Sequence, residues 1–289
     1  MNNKLADENE EIEPTYVGKN EGLTRKAIQF GQLPKMDPEI GKQLSAYVAR
    51  TFKGAGEAGK TRLGNKNNTK TETSPEFWEE FEKKAKEIGI DLIGYTPVNE
   101  NYIFKNSKVL GKNAIVLSIK FDWEVIKTAP SALCGVEFFR TYSELGEKVI
   151  ELTNYLKERG YKSEAHHPFG GKLLYTYHAV AAGLGFVGQN GLIITPEFGP
   201  RQRWALITTD ADIPETKERD FSEMEDFCKN CGACIKGCKG KAPLEEPIEQ
   251  VEGSGVITRI DGAKCADSLT SNNFCSVCLK ICSLGRPKK

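Results

Sequence analysis

The sequence has no surplus of charge of either sign: 40 Lys and Arg residues stand against 40 Asp and Glu. That balance excludes a global field that would gather nucleic acid or an anionic membrane surface. Long apolar runs are also missing. Stretches such as residues 114–119 fall far short of the ~20 residues a membrane-spanning helix needs. The first 14 residues are acidic and polar, with neither an apolar core region nor twin arginines. No export signal is read there, and a cytoplasmic location is expected. Apart from two groups of cysteines, no repeat of 20–50 residues is evident. What remains is 289 residues with a hydrophobic content of 39%, enough for one large domain or two modest ones around a real core.

Cysteine is nearly absent from most of the chain and then abundant. Eight of the nine fall between Cys228 and Cys282, and only Cys134 stands apart. In a chain read as intracellular, such clustering favours metal binding over disulfides.

Hydrophobic spacing predicts an amphipathic helix over residues 37–52, with Ile40, Leu44, Val48 and Phe52 on one face, then a polar Gly/Lys/Asn-rich linker. A second helix starts at Ser74, an N-cap followed by Pro75, buries Phe77, Trp78, Phe81, Ala85 and Ile88, and stops at Gly89. Strands are expected at 90–95, 114–121, 192–195 and 204–209, with helices at 142–159 and 172–182 between them. This alternation indicates an α/β (α+β) core. From Cys228 onward periodicity disappears, as expected for a small ferredoxin-like module whose metal centres replace a core. The expected division is a leader and linker at 1–73, a cofactor and substrate domain at 74–220 and an iron–sulfur domain at 221–289.

Two glycine motifs imitate nucleotide sites. Residues 54–61, GAGEAGKT, match the P-loop letter for letter. A P-loop needs a buried strand before the glycines and an apolar helix after them; here a helical pattern precedes and a polar stretch follows, so a flexible basic linker is the expected reading. Gly183-Leu-Gly185-Phe-Val-Gly188 fits the dinucleotide fingerprint, but it runs helix, glycines, strand, the reverse of the required order.

The cysteines carry the chemistry. Cys228-x2-Cys231-x2-Cys234-x3-Cys238 is the bacterial ferredoxin spacing, in which three thiolates wrap one cluster and the fourth serves a neighbour. Zinc takes four ligands, commonly as two separated pairs, so the third step favours iron–sulfur. A second group follows: Cys265, then Cys275-x2-Cys278-x3-Cys282. On ferredoxin logic Cys228, Cys231, Cys234 and Cys282 hold one [4Fe–4S] cluster, and Cys238, Cys265, Cys275 and Cys278 hold the other. No proline follows Cys238; Lys239 stands there.

The long interval between Cys265 and Cys275 resembles the second cluster motif of reductive dehalogenases and epoxyqueuosine reductases. The stretch Ala182-Gly-Leu-Gly-Phe-Val-Gly-Gln-Asn-Gly-Leu-Ile-Ile-Thr-Pro-Glu-Phe-Gly-Pro-Arg201, and residues 114–122 with Ala129-Pro-Ser131, resemble the corrinoid-domain segments of reductive dehalogenases in particular. The resemblance covers roughly residues 75–285. It implies an oxygen-sensitive oxidoreductase in which two [4Fe–4S] clusters feed a base-off cobalamin, a low-potential donor such as ferredoxin or flavodoxin, and a small-molecule substrate. It also implies a tyrosine proton donor with a basic neighbour, roles that Tyr142 and Arg203 match, and a corrinoid approached closely by backbone at Gly185, Asn190 and Gly199. A place at a helix start would explain Tyr142 equally well, and turns and caps would explain Gly185, Asn190 and Gly199. His166, His167 and His178 are expected to be structural.

Two rivals follow from the same residues. One is a cobalamin-free, two-cluster electron carrier serving a partner enzyme. The other is epoxyqueuosine reduction on transfer RNA, against which stands His167-Pro-Phe-Gly-Gly-Lys172, where that family carries a catalytic aspartate.

Overall fold

The strand Asn113–Lys120 (β2) is buried along all but its last residue, which explains why its sequence shows a continuous apolar run rather than alternation: both of its faces are covered. The computed structural model describes residues 12–20, 35–250, 253 and 255–287; much of the expected leader, residues 1–11 and 21–34, lies outside them. β2 pairs on one side with β1 (Leu92–Pro97) and on the other with β6 (Gln202–Thr209), and β3 (Ser163–His166) completes the sheet beyond β6. All three pairings are antiparallel, with Ile115 opposite both Tyr95 and Ile207. The architecture is thus mixed α/β around an antiparallel sheet.

One face of the sheet is covered by α2 (Pro75–Glu87) and α3 (Ala132–Glu158). There Phe81, Ile115, Leu117, Leu145, Val149, Leu152, Leu156 and Ile207 form the main core. The opposite face holds Ala114, Val116 and Leu206 against Val98, Ile103 and α4 (Tyr175–Ala181). At roughly 1.5–3 kcal/mol for each large side chain removed from water, these two layers supply the driving force for the fold. Ser74 caps α2 as the sequence predicts, its Oγ accepting from the Phe77 amide at 3.3 Å. Gly89 leaves the helix at φ +82°, where only glycine is unstrained.

Two helices are longer than their patterns suggest. The first, α1, spans Pro38–Lys60 rather than ending at 52, so the first seven residues of the P-loop-like sequence are helical and their amides are turned to intrahelical bonds. Gly54 sits there because a Cβ would come 2.9 Å from His167 Nε2. The following stretch is also docked rather than a free linker. Asn65 is fully buried, donating to the Thr61, Arg62 and Ser163 carbonyls and accepting from the Ser163 amide. α3 begins at Ala132, ten residues before Tyr142, which places Tyr142 mid-helix and not at a helix start. Its first turns contain glycine, β-branched and aromatic residues of poor helix propensity, and tertiary packing overrides them. At Gly135 a Cβ would lie 2.7 Å from the Phe274 ring.

The C-terminal part contains α5 (Ser222–Cys231), α6 (Ala233–Lys236), the ribbon β7 (Pro243–Glu249) and β8 (Ile257–Ile260), α7 (Gly262–Ser271) and α8 (Val277–Ile281). Neither α5 nor α6 has a single buried residue.

Candidate functional site

Short helices carry most of the module's cysteines. Cys228 and Cys231 lie on α5. Gly232, at φ +60°, ends that helix and starts α6, which carries Cys234. Cys265 is on α7, Cys278 on α8, and Cys282 caps α8. Before Cys275 two consecutive residues, Asn273 at φ +48° and Phe274 at φ +57°, occupy the left-handed region. For a phenylalanine this is strained backbone, held by the burial of its ring.

All nine cysteines are free thiols. Cys228, Cys231, Cys234 and Cys282 line one hollow, together with Asn190, Ile194, Phe227 and Leu284. Burial pushes the Cys234 thiol up to about 11, and Cys228 and Cys282 push it further in the same direction. Cys282 is raised by burial and by Cys228 and Cys231, against the opposing pull of Arg201. The remaining four form a second set. Cys265 is raised by burial, Cys238 and Cys275. Cys278 is pushed up to about 12 by burial, then by Cys265 and Cys275 and more weakly by Cys234. The thiols therefore sort into two groups of four, with Cys234 of the first acting weakly on Cys278 of the second. Among the described residues no three or more His, Cys, Asp or Glu stand at the spacing of a single-ion site. Each donor set is four sulfurs whose ionised forms repel one another.

Tyr142 and Arg203 are brought together. The Arg203 guanidinium stacks 3.6 Å from the Tyr142 ring centroid and also faces Phe121 at 5.0 Å and Phe138 at 5.7 Å. It points from β6 toward α3, and Thr141 Oγ1 accepts from its Nε at 3.5 Å. Burial lowers the guanidinium's pKa, opposed by Tyr142 and then Glu137. Phe169 packs edge-on against Tyr142 with centroids 5.4 Å apart, and Phe52 of α1 packs on Phe169 at 5.1 Å.

The cysteine module meets this face through its second group. Cys278 packs with Leu279 against Phe121, Ile126 and Phe138. Phe274 joins Phe139, Cys134 and Tyr142 in one apolar cluster. The first group lies instead against Asn190, Ile194 and Leu284, and each group has one exposed cysteine, Cys231 in the first and Cys265 in the second.

Gly185, Asn190 and Gly199 are not gathered with Tyr142 and Arg203 in one cavity. A Cβ on Gly185 would come 2.2 Å from the Ile194 carbonyl oxygen, and one on Gly199, itself at φ +57°, 2.0 Å from that of Leu284. Both close approaches are filled by the chain itself. Asn190 Oδ1 accepts from the Leu192 amide at 3.1 Å and borders the first cysteine hollow.

The histidines are buried and pushed down to about 4, chiefly by burial. His166 Nε2 bonds Thr208 Oγ1 at 2.8 Å. His178 accepts from the Asn99 amide through Nε2 and bonds the Leu174 carbonyl through Nδ1. His167 Nδ1 accepts from the Phe169 amide at 2.9 Å, while its Nε2 has no partner among the described residues. It is wedged against Gly146, where a Cβ would come within 1.9 Å of it. Sequence reasoning missed Phe169 and Phe274, aromatics in irregular segments with no periodic signal. It also passed over Arg201, an arginine at the foot of an apolar strand that turns out to be 2% exposed.

No family model matches the chain. A tetrachloroethene reductive dehalogenase of Desulfitobacterium hafniense is 30% identical over 207 residues, covering 68% of this chain and 37% of that one. An enzyme of the same name from Sulfurospirillum multivorans is 29% identical over 180 residues, covering 59% and 35%. An epoxyqueuosine reductase of Lactococcus garvieae is 25% identical over 203 residues, covering 57% and 56%. The chain thus spans little more than a third of the length of these dehalogenases. Among solved structures, a catabolic reductive dehalogenase in complex with 3-bromo-4-hydroxybenzoic acid superposes with a TM-score of 0.72 at 18% identity, covering 95% of this chain and 44% of that one. An epoxyqueuosine reductase bound to a tRNA stem loop gives 0.50 at 19% identity, covering 73% and 65%. These two share the fold. Among the described residues no helix is long and apolar enough to cross a membrane. In sequence the chain is thus a homologue of the reductive dehalogenases and, at lower identity, of the epoxyqueuosine reductases.

Proposed function

We propose that the chain is the electron-transferring and proton-donating part of a reductase. In this reading Cys228, Cys231, Cys234 and Cys282 hold one [4Fe–4S] cluster, and Cys238, Cys265, Cys275 and Cys278 the other. The observation that carries it is the sorting of eight free thiols into two groups of four, one of which packs on the face where Arg203 covers Tyr142.

The cysteine donors fit iron–sulfur: four soft thiolates around each space, whose mutual repulsion bound iron relieves. The clusters supply one-electron transfer, and a cobalamin, which the family implies, would supply reduction of a carbon–halogen bond. For the corrinoid the residues give no comparable fit, because the chain's own carbonyls fill the approaches at Gly185 and Gly199; no step here depends on it.

The chain's own residues do the following. Because the second group packs on the Tyr142 face, the first group, with its exposed Cys231, takes electrons from a low-potential donor of the ferredoxin or flavodoxin class. Cys278, among Phe121, Phe138 and Leu279, carries them to the inner face in an environment that excludes water. At that face Tyr142 Oη donates a proton to the reduced small-molecule product. The Arg203 cation, stacked on the ring, stabilises the phenolate left behind. Phe169 and Phe139 fix the ring's orientation.

The test is anaerobic reconstitution with cobalamin, followed by iron, sulfide and cobalt determination and dye-coupled reduction of a chlorinated alkene, for the wild type and Tyr142→Phe. Expected are about eight irons per chain in both, with turnover lowered about 10²–10⁴-fold in the variant. Iron near one per chain, as for a mononuclear site, overturns the cluster reading. A fully active Tyr142→Phe overturns the proton-donor role. About eight irons without cobalt, and no turnover, favours the cobalamin-free electron carrier.

A further inference from the structure

Arg201, 2% exposed, is the least accessible arginine or lysine among the described residues. Its Nη1 donates to the carbonyls of Leu279 at 2.9 Å and Cys282 at 3.1 Å, and its Nη2 to that of Leu284 at 2.5 Å. The Trp123 ring lies 5.4 Å from the guanidinium carbon. No carboxylate forms an ion pair with it among the described residues, whereas Arg140 takes two, Glu137 and Glu144. Leaving a cation in the interior without a counter-charge costs several kcal/mol, and neutral carbonyl dipoles offset only part of that. A negative group is missing from the account.

The place where negative charge would gather is adjacent. Cys282 contributes its carbonyl to Arg201 and its thiol to the first cysteine hollow, and Leu284 borders both. Four thiolates around an iron–sulfur cubane carry net negative charge in both oxidation states, and one electron more when reduced. Among the described residues no buried arginine or lysine stands beside the second group. Of the lysines near it, Lys264 turns toward Asp261 and Lys280 donates to the Ala129 carbonyl.

We propose that Arg201 is the built-in counter-charge of the first cysteine centre, stabilising its reduced state and so raising the reduction potential of that centre alone. This rests on the iron–sulfur reading above. Because the guanidinium is held in a fixed fork in a water-poor setting, its field on the centre is little screened. Reduction adds one electron, delivered by a low-potential donor, to a centre already facing a fixed positive charge. Arg201 is thus a positioning and tuning residue at the point where electrons enter.

The test uses the full chain, reconstituted anaerobically, with redox titrations followed by EPR for wild type, Arg201→Met and Arg201→Lys. In Arg201→Met one of the two midpoints is expected to fall by at least a tenfold change in its one-electron equilibrium constant, about 59 mV, while the other stays. Arg201→Lys, which keeps the charge and loses the fork, is expected to hold about eight irons and midpoints near wild type. Arg201→Met with full iron and unmoved midpoints overturns the proposal. Should Arg201→Met fail to load the first centre, Arg201→Lys decides: full iron with wild-type midpoints supports a charge role, and loss of half the iron shows a backbone clamp only and overturns it. A wild-type chain that takes up no iron sinks the iron–sulfur reading itself, a result distinct from a loaded chain whose potentials ignore Arg201.

Discussion

The sheet core and the cysteine module of this chain are stabilised by different means. In the core, β2 is covered on both faces, and Leu145, Leu152 and Leu156 of α3 are fully buried. In the module, α5 and α6 bury nothing, and only a few apolar anchors, Phe274 and Leu279 foremost, tie it to the core. The first region folds because water is expelled. The second has too little to expel, and the proposed clusters would supply the missing bonds. On that proposal the difference also divides the labour, since a burial-built region gives Tyr142 and Arg203 a rigid mount while a metal-built region would keep its centres near the surface.

The largest effect expected from this contrast follows metal removal. Chelation under reducing conditions should unprotect residues 222–287 while the sheet keeps its slow amide exchange, read by hydrogen exchange with peptide-level resolution. Equal protection of the module with and without iron would remove the contrast. Next in size is Leu152→Ala. A fully buried leucine deleted from α3 is expected to cost about 2–5 kcal/mol, read from urea unfolding followed by tryptophan fluorescence, with the iron content per folded chain unchanged. Loss of iron in parallel would mean that the two regions are one cooperative unit.

The smallest effect is in the pH response of the core. His166, His167 and His178 are held neutral, with pKa values near 4 against an ordinary value of about 6.5 in the unfolded chain. Between those values the unfolded state binds more protons, so stability falls as pH drops through that window. Each histidine contributes at most about 1.4 kcal/mol per pH unit. Urea midpoints should therefore fall from pH 7 to pH 5, and the fall should be shallower in His166→Asn. An unchanged slope in that variant would show that another group carries the acid sensitivity.

Much of the core was legible in the sequence, for particular reasons. The strands expected at 90–95, 114–121 and 204–209 lie within two residues of β1, β2 and β6, because apolar β-rich runs bounded by turn residues have few alternatives. Ser74-Pro75 marks the α2 start through its own side-chain chemistry. The end of α1 and the start of α3 were not legible. Gly54, Gly135 and Gly146 are helix breakers by propensity, yet the structure uses them as contact points for His167 and Phe274, and nothing local announces a partner that is distant in sequence. The same limit applies to the site. The cysteine spacings could be read directly, whereas the stacking of Arg203 on Tyr142 joins a strand and a helix 61 residues apart and entered only through resemblance. Arg201, two residues from Arg203, closes the segment that carries the resemblance, but no spacing or periodicity set it apart as a functional residue.

The partition of the cysteines is the claim on which the rest stands, and paired substitutions test it most directly. Cys282→Ser and Cys278→Ser should each leave about four irons per chain. The double variant Cys228→Ser/Cys282→Ser should still hold about four, since both changes strike one centre, while Cys278→Ser/Cys282→Ser should hold none. If instead Cys228→Ser/Cys282→Ser loses all its iron and Cys278→Ser/Cys282→Ser keeps half, then Cys282 belongs with Cys278 and the account is wrong.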